Sequence, residues 1–362
     1  MKNVYLRYFD RPLAVSALLL CLAGIAAIYS AAGAEYVKKQ LFYLATGIGI
    51  AWFMSCISVP ILSKLAGKLY GFTFTLLLMV LLVGTRINGA RRWIDLGFIR
   101  LQPAELAKVA LIICLGVYLS SRRHSIKSIR TFAGSLIYIS VPMLLIFRQP
   151  DLGTSLTLAA IWLAQVFVSG CRMRHILVFF LVLAALAGAA WWTPGVLKNY
   201  QKERIYTFLS PESDPLGSGY HVLQSRIAIG SGGLFGKGYL KGTQKKLDFI
   251  PEQHTDFVFT VFGEELGFAG CLGVLCLYSL MVFRLIHIML ATEDTAGRAV
   301  TAGVCGLFIF HIVVNIGMTI GVMPVTGVPL PFISYGGTAL WGFLAEIGLA
   351  EGVSMRRHML TL

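Results

Sequence analysis

The sequence predicts an all-α polytopic integral membrane protein: about ten transmembrane helices, both termini cytoplasmic, and one large extracytoplasmic loop between helices 7 and 8. Two observations carry the prediction. Of 362 residues, 57% are hydrophobic and only 13% charged, too few charges for the surface of a soluble chain of this length. Apolar windows also recur along the chain, each near the ~20 residues that cross ~30 Å of hydrocarbon.

The spans follow in order. Residues 1–12 precede an apolar run that passes Tyr29 without a clean cleavage site, so 13–31 is read as a retained first span rather than a signal peptide. Residues 42–59 form the second. The third, 69–84, is short and is expected to extend beyond these limits. The fourth, 103–119, opens on Pro103, which suits a first helical turn. Residues 132–146 make a fifth span, again short. The sixth, 152–168, follows Asp151, and the seventh is 176–192. Span eight, 257–286, is read as one helix entered from Asp256. Residues 299–322 and 332–354 complete the set. All of residues 1–362 belong to one transmembrane domain. The loop 193–255 lies within it and lacks the length and apolar content of an independent domain. Pieces such as 220–229 are expected to lie as amphipathic turns on the outer surface.

The net charge is +14. Its cations flank the spans, which points to lipid headgroups, topology signals or an anionic substrate rather than nucleic acid. With the N-terminus inside, Lys and Arg of the inner loops outnumber those of the alternate loops once the long loop is discounted. The seven cysteines are scattered without metal-ligand spacing and read as small buried residues.

Several polar residues stand out against this background. Arg86, Arg91, Arg92 and Arg100 cluster in one short outer loop, against the orientation rule. The cluster reads either as statistical scatter or as an anion site, since Arg forks suit phosphate oxygens. Glu105 and Lys108 lie three apart, close enough to pair across one helix face. They read as a structural pin or as the lining of an outward cavity. Asp151 reads as a helix cap or as a binding group. Asp256 reads as a dipole contact or as a general base taking a proton from a sugar hydroxyl, with His254 as the competing base. Glu264, Glu265, Glu346 and Glu351 are expected in structural pairs. The glycine-rich run 230–238 invites a phosphate-loop reading but fails the Walker pattern, so its glycines are expected to give backbone freedom. Lys237, Lys241, Lys245 and Lys246 suit headgroups or an anionic ligand.

Residues 224–238 (QSRIAIGSGGLFGKG), 249–259 (FIPEQHTDFVF), 263–267 (GEELG) and 315–338 (NIGMTIGVMPVTGVPLPFISYGGT) occur in order. With them come 88–94 (NGARRWI), 101–108 (LQPAELAK) and 149–155 (QPDLGTS). Together these motifs resemble the SEDS family (shape, elongation, division and sporulation) over essentially the whole chain. The short N-terminus favours the elongation branch.

The resemblance implies a glycosyltransferase of the bacterial cytoplasmic (inner) membrane that polymerises lipid II outside it. It implies a class B penicillin-binding transpeptidase as partner, within the elongation machinery. The family's essential acid falls on Asp256 and its membrane pair on Glu105 and Lys108. The expected reaction is inverting. Asp256 deprotonates the acceptor hydroxyl of lipid II, which attacks a glycan carried on undecaprenyl diphosphate. Arg91, Arg92, Arg100 and Lys108 are the candidates to stabilise the leaving diphosphate. Asp151, His254 and Lys237 complete the expected binding set. A divalent cation, Mg2+ or Mn2+, is expected only as a ligand shared with that diphosphate. The rival class is a transporter that flips lipid II; a third reading is a scaffold for the transpeptidase.

Overall fold

The computed structural model describes residues 8–87, 90–95, 97, 100–193, 206–208, 210, 218–242 and 253–357. Much of the predicted 193–255 loop, including Lys245 and Lys246, lies outside the described residues, as does the side chain of Arg86.

The chain enters the bundle through α1 (Arg11–Ala32), α2 (Ala34–Cys56) and α3 (Val59–Val83). A three-stranded antiparallel sheet follows, β1 (Thr85–Ile87), β2 (Ala90–Asp95) and β3 (Arg100–Leu101). Then come α4 (Pro103–Ser121), α5 (Ile129–Arg148), α6 (Leu152–Val168) and α7 (Met173–Trp192). After the long loop come α8 (Ser218–Ser231), α9 (Phe259–Glu265), α10 (Gly267–Ala291), α11 (Thr295–Thr319) and α12 (Gly337–Arg356). Helices α1, α3, α4, α5, α7, α10 and α11 are each long and apolar enough to cross a membrane. Helix α6 is apolar but shorter. Helices α2 and α12 carry charges such as Lys38, Lys39, Glu346 and Glu351. With α9 and α10 counted as one broken span, these helices match the predicted spans in order.

Helices α4, α11 and α12 are the most enclosed, while α7 is almost wholly exposed to its surroundings. Association of helices inside lipid depends on close packing rather than on expulsion of water. Small residues set the closest approaches: a Cβ on Gly348 of α12 would lie 2.3 Å from the Ala51 carbonyl oxygen of α2. One on Gly306 of α11 would lie 2.5 Å from Ala164 Cβ of α6. The start of α1 and the end of α12 meet at one end of the bundle. Asp10 caps α1 through Leu13 N, pairs with Arg284 at 2.6 Å, and donates its backbone N–H to Glu351 at 2.9 Å.

Three expectations need correction. Span eight is broken at Leu266–Gly267 into α9 and α10. The last helix begins at Gly337 rather than at 332, because 331–336 is taken up by turns and irregular chain. The segment carrying Arg91, Arg92 and Arg100 is a small sheet, not an irregular loop; its strands are too short and charged to register against the long apolar runs. The two short spans do extend, to Val59–Val83 and Ile129–Arg148.

Candidate functional site

Asp256 sits in a run of turns, residues 253–258, one helical turn before α9 begins at Phe259. A second non-helical stretch, between the end of α11 and Gly337, folds over it. That stretch carries Pro324, Pro329 and Pro331, which remove backbone donors. Gly321 (φ 77°) and Gly327 (φ 70°) occupy left-handed conformations, where a side chain is disfavoured.

Three successive residues of the turn, 254–256, are held through their backbone carbonyls. Asn315 of α11 donates from Nδ2 to Asp256 O at 2.9 Å and to Val328 O at 2.8 Å. The Ser334 hydroxyl donates to Thr255 O at 2.6 Å and accepts from Leu330 N at 2.8 Å. Tyr335 N donates to His254 O at 2.9 Å. Backbone anchoring fixes where the Asp256 side chain leaves the chain. The residue is half-buried. A Cβ on Gly327 would stand 3.5 Å from Asp256 Oδ2, so the 326–328 backbone passes beside the carboxylate.

His254 enters an aromatic cluster instead. Its ring lies 4.7 Å from that of Tyr36 and 5.5 Å from that of Tyr335. Burial raises the Tyr335 phenol above its ordinary value, so it stays a neutral neighbour.

Asp151 caps α6, accepting from Thr154 N at 3.1 Å. Gln102 Nε2 donates to its Oδ2 at 3.3 Å, and Arg92 Nη1 lies 3.7 Å from the same oxygen. Arg92 also donates from Nε to Gln149 O at 3.1 Å and from Nη2 to Pro150 O. Arg92 therefore latches the sheet to the α5–α6 corner, its fork filled by carbonyls and a carboxylate. Two residues on, a Cβ on Gly153 would lie 2.7 Å from Thr326 O. The Asp151 corner and the Asp256 turn thus abut the same 326–328 stretch. Arg100 reaches Asp95 across β2 and β3 at 3.5 Å and is mostly exposed. Arg91 makes long contacts, at 3.4 and 3.5 Å, with the Leu81 and Leu82 carbonyls.

Glu105 and Lys108 do pair, at 2.8 Å, but in the core. Lys108 is 1% exposed, and its Nζ stands 5.2 Å over the Phe343 ring. Gly342 lets α12 approach: a Cβ there would meet Glu105 Oε2 at 3.2 Å. Glu346 is buried nearby on the next turn of α12. The pair is buried where α4 packs against α12. Lys237 pairs with the buried Glu264 at 2.8 Å, and the Ser30 hydroxyl donates to Glu265.

In the sequence Asn315 and Ser334 stand out only as members of the 315–338 motif; the cost of an unpaired amide within an apolar span is the signal that marks Asn315. Among the described residues, no three His, Cys, Asp or Glu side chains converge as a metal site.

A family model described as cell cycle protein, covering FtsW, RodA and SpoVE, matches residues 12–359. The chain belongs to the FtsW/RodA/SpoVE family. Within it, the chain is 39% identical to peptidoglycan glycosyltransferase MrdB of Escherichia coli, over 98% of this chain and 95% of that protein. It is 33% identical to peptidoglycan glycosyltransferase RodA of Treponema pallidum, over 96% of this chain and 98% of that one. A solved chain described under "Structural coordination of polymerization and crosslinking by a peptidoglycan synthase complex" superposes with a TM-score of 0.86 at 36% identity. It covers 97% of this chain and 98% of its own. The crystal structure of RodA from Thermus thermophilus gives 0.74 at 33% identity, with the same coverage. The fold is thus the family's multi-pass helical fold, as the SEDS resemblance implies.

Proposed function

We propose that this chain is a peptidoglycan glycosyltransferase polymerising lipid II into β-1,4 glycan strands at the outer face of the bacterial cytoplasmic membrane during elongation. The observation that carries the reading is the half-buried carboxylate of Asp256 on a turn anchored through three successive backbone carbonyls. The transferase names of the FtsW/RodA/SpoVE relatives support it. A base must be held still relative to the hydroxyl it serves, and the Asn315 and Ser334 bonds do that without using the carboxylate.

In the proposed step, Asp256 accepts the proton of the acceptor 4-hydroxyl as its oxygen bonds to the donor's anomeric carbon. The bond from that carbon to the undecaprenyl diphosphate oxygen breaks on the opposite face, and the diphosphate leaves with the electron pair. Inversion gives the β link. Arg91, whose guanidinium makes long contacts with the Leu81 and Leu82 carbonyls, is the proposed cation for the leaving group, with exposed Arg100 second. Arg92 and Asp151 position the corner between them. Glu105, Lys108 and Lys237 act through packing rather than by touching substrate. Among the described residues no cage for a divalent cation is present, so Mg2+ or Mn2+ would take most of its ligands from the diphosphate, and no step here runs through it.

The partner is proposed to be a class B penicillin-binding transpeptidase, in keeping with the synthase complex whose chain this one resembles. A transporter needs a central site open to either face in turn, whereas the anchored carboxylate lies at one end of the bundle.

The test is polymerisation of purified lipid II in detergent, where there is no compartment to flip into. The wild-type chain with its transpeptidase should yield glycan chains; Asp256→Asn should yield none while melting at the wild-type temperature. Near-normal polymer from that variant overturns the base assignment.

A further inference from the structure

The stretch 232–241 does not behave as a solvated loop. Leu234 is 67% exposed and Phe235 82%, and Tyr239 and Leu240 are exposed beside them. Single apolar residues on a surface are ordinary, but four within seven positions form a patch that requires a partner.

The loop's attachments indicate which. The carbonyls of Gly233 and Leu234 accept from Phe268 N at 2.9 Å and Ala269 N at 3.0 Å, so the tip is bonded to the first turn of α10. On that turn Leu266 and Phe268 are exposed, and Leu272 follows one turn deeper. The apolar tip thus continues the bare face of a membrane-crossing helix. Tyr239 donates to Ala26 O at 3.0 Å. Ala26 lies six residues inside the end of α1 at Ala32, or about 9 Å at ~1.5 Å per residue. The loop therefore lies level with the interior of a span. Lys237 is turned back to Glu264 at 2.8 Å, which leaves the tip uncharged, while exposed Lys241 stands at its edge, where an ammonium meets headgroups.

We propose that residues 234–240 insert into the acyl region of the leaflet and anchor the segment that carries Asp256. The coupling is direct. Lys237 N donates to Glu264 O and Gly238 N to Glu265 O, both at 3.0 Å. These carbonyls end α9, whose other end leads into the Asp256 turn. Lipid contact thereby fixes the height of α9, and with it the acid, against the membrane surface. The inference rests on placement in the membrane and is independent of the reaction assigned above.

The test is Phe235→Trp in the full chain, a change at a side chain with few internal contacts. The protein is reconstituted in phosphatidylethanolamine–phosphatidylglycerol vesicles, with and without dibrominated acyl chains, and the wild-type emission is subtracted. The added emission should lie to the blue of tryptophan in water and be mostly lost in the brominated vesicles. Emission typical of water, unquenched by bromine, overturns the insertion. So does a signal that turns blue only when the transpeptidase is added, since the tip would then be a protein contact. A second arm tests anchoring: Leu234→Ser with Phe235→Ser should raise hydrogen exchange across 259–265 in vesicles. Unchanged exchange there overturns the anchoring role.

Discussion

At the scale of single residues, Asn315 carries more of the site than its place in an apolar helix suggests. Its one amide group serves two carbonyls, Asp256 O and Val328 O. Asn315→Leu keeps the volume but strands both acceptors, and a buried acceptor without a donor costs about 1–3 kcal/mol. The variant should melt lower and polymerise slowly, because the turn that aims Asp256 is freed. Asn315→Asp is the sharper probe. It keeps the shape but sets a carboxylate against two carbonyl oxygens, and activity should fall at least as far. Wild-type turnover from Asn315→Asp, measured with lipid II in detergent, would detach the clamp from catalysis. Arg92 and Arg91 should separate in the same assay. Arg92→Gln unlatches the sheet from the Gln149–Asp151 corner and should lower thermal stability. Arg91→Gln should leave melting unchanged and weaken substrate engagement.

At the scale of elements, the order of helices is legible in the sequence because apolar length is a strong signal, and Pro103 and Asp151 mark true helix starts. The α9–α10 break is not legible in that way. Residues 257–286 are apolar throughout, so hydropathy reads one span. The break is set by a tertiary contact. Gly267 is left-handed at φ 66°, and a Cβ there would lie 2.3 Å from Gly236 N. Of the glycines of 230–238, Gly232 and Gly236 allow close backbone approach, while Gly233, Gly236 and Gly238 use the left-handed freedom that glycine gives. Asp256 could be singled out because an acid beside an apolar run is conspicuous, whereas its anchors come from α11 and the 331–336 stretch, both distant in sequence. Lys108 shows the converse failure: spacing identifies its partner Glu105 but says nothing of depth, and the pair proves buried. The break makes its own prediction. Gly267→Ala adds a clash to a strained conformation, a backbone cost of about 1–3 kcal/mol. It should detach the 232–241 loop from α10, lower the melting temperature and raise hydrogen exchange at Phe268 and Ala269. Wild-type exchange at these two amides would show that the loop is held by something else.

At the scale of the whole molecule, the two ends of the bundle do different work. Asp10 opens α1 at one end, where it pairs with Arg284 and meets Glu351. Most of a helix length further on, a Cβ on Gly24 of α1 would lie 2.6 Å from Ile333 Cα, in the stretch that folds over the Asp256 turn. Asp10→Ala removes the carboxylate that neutralises a largely buried Arg284 and caps α1. Loss of one partner from such a pair costs up to about 3–5 kcal/mol when fully buried, and less here because the guanidinium keeps some solvent. Asp10→Ala should therefore melt several degrees lower yet polymerise at the wild-type rate per folded molecule below that temperature. A transferase with its chemistry at one end requires only that the far end stay folded. An alternating-access transporter must move both ends together. If Asp10→Ala instead slowed turnover with melting unchanged, the ends would be coupled in the cycle, and the assignment of the whole reaction to the Asp256 end would fall.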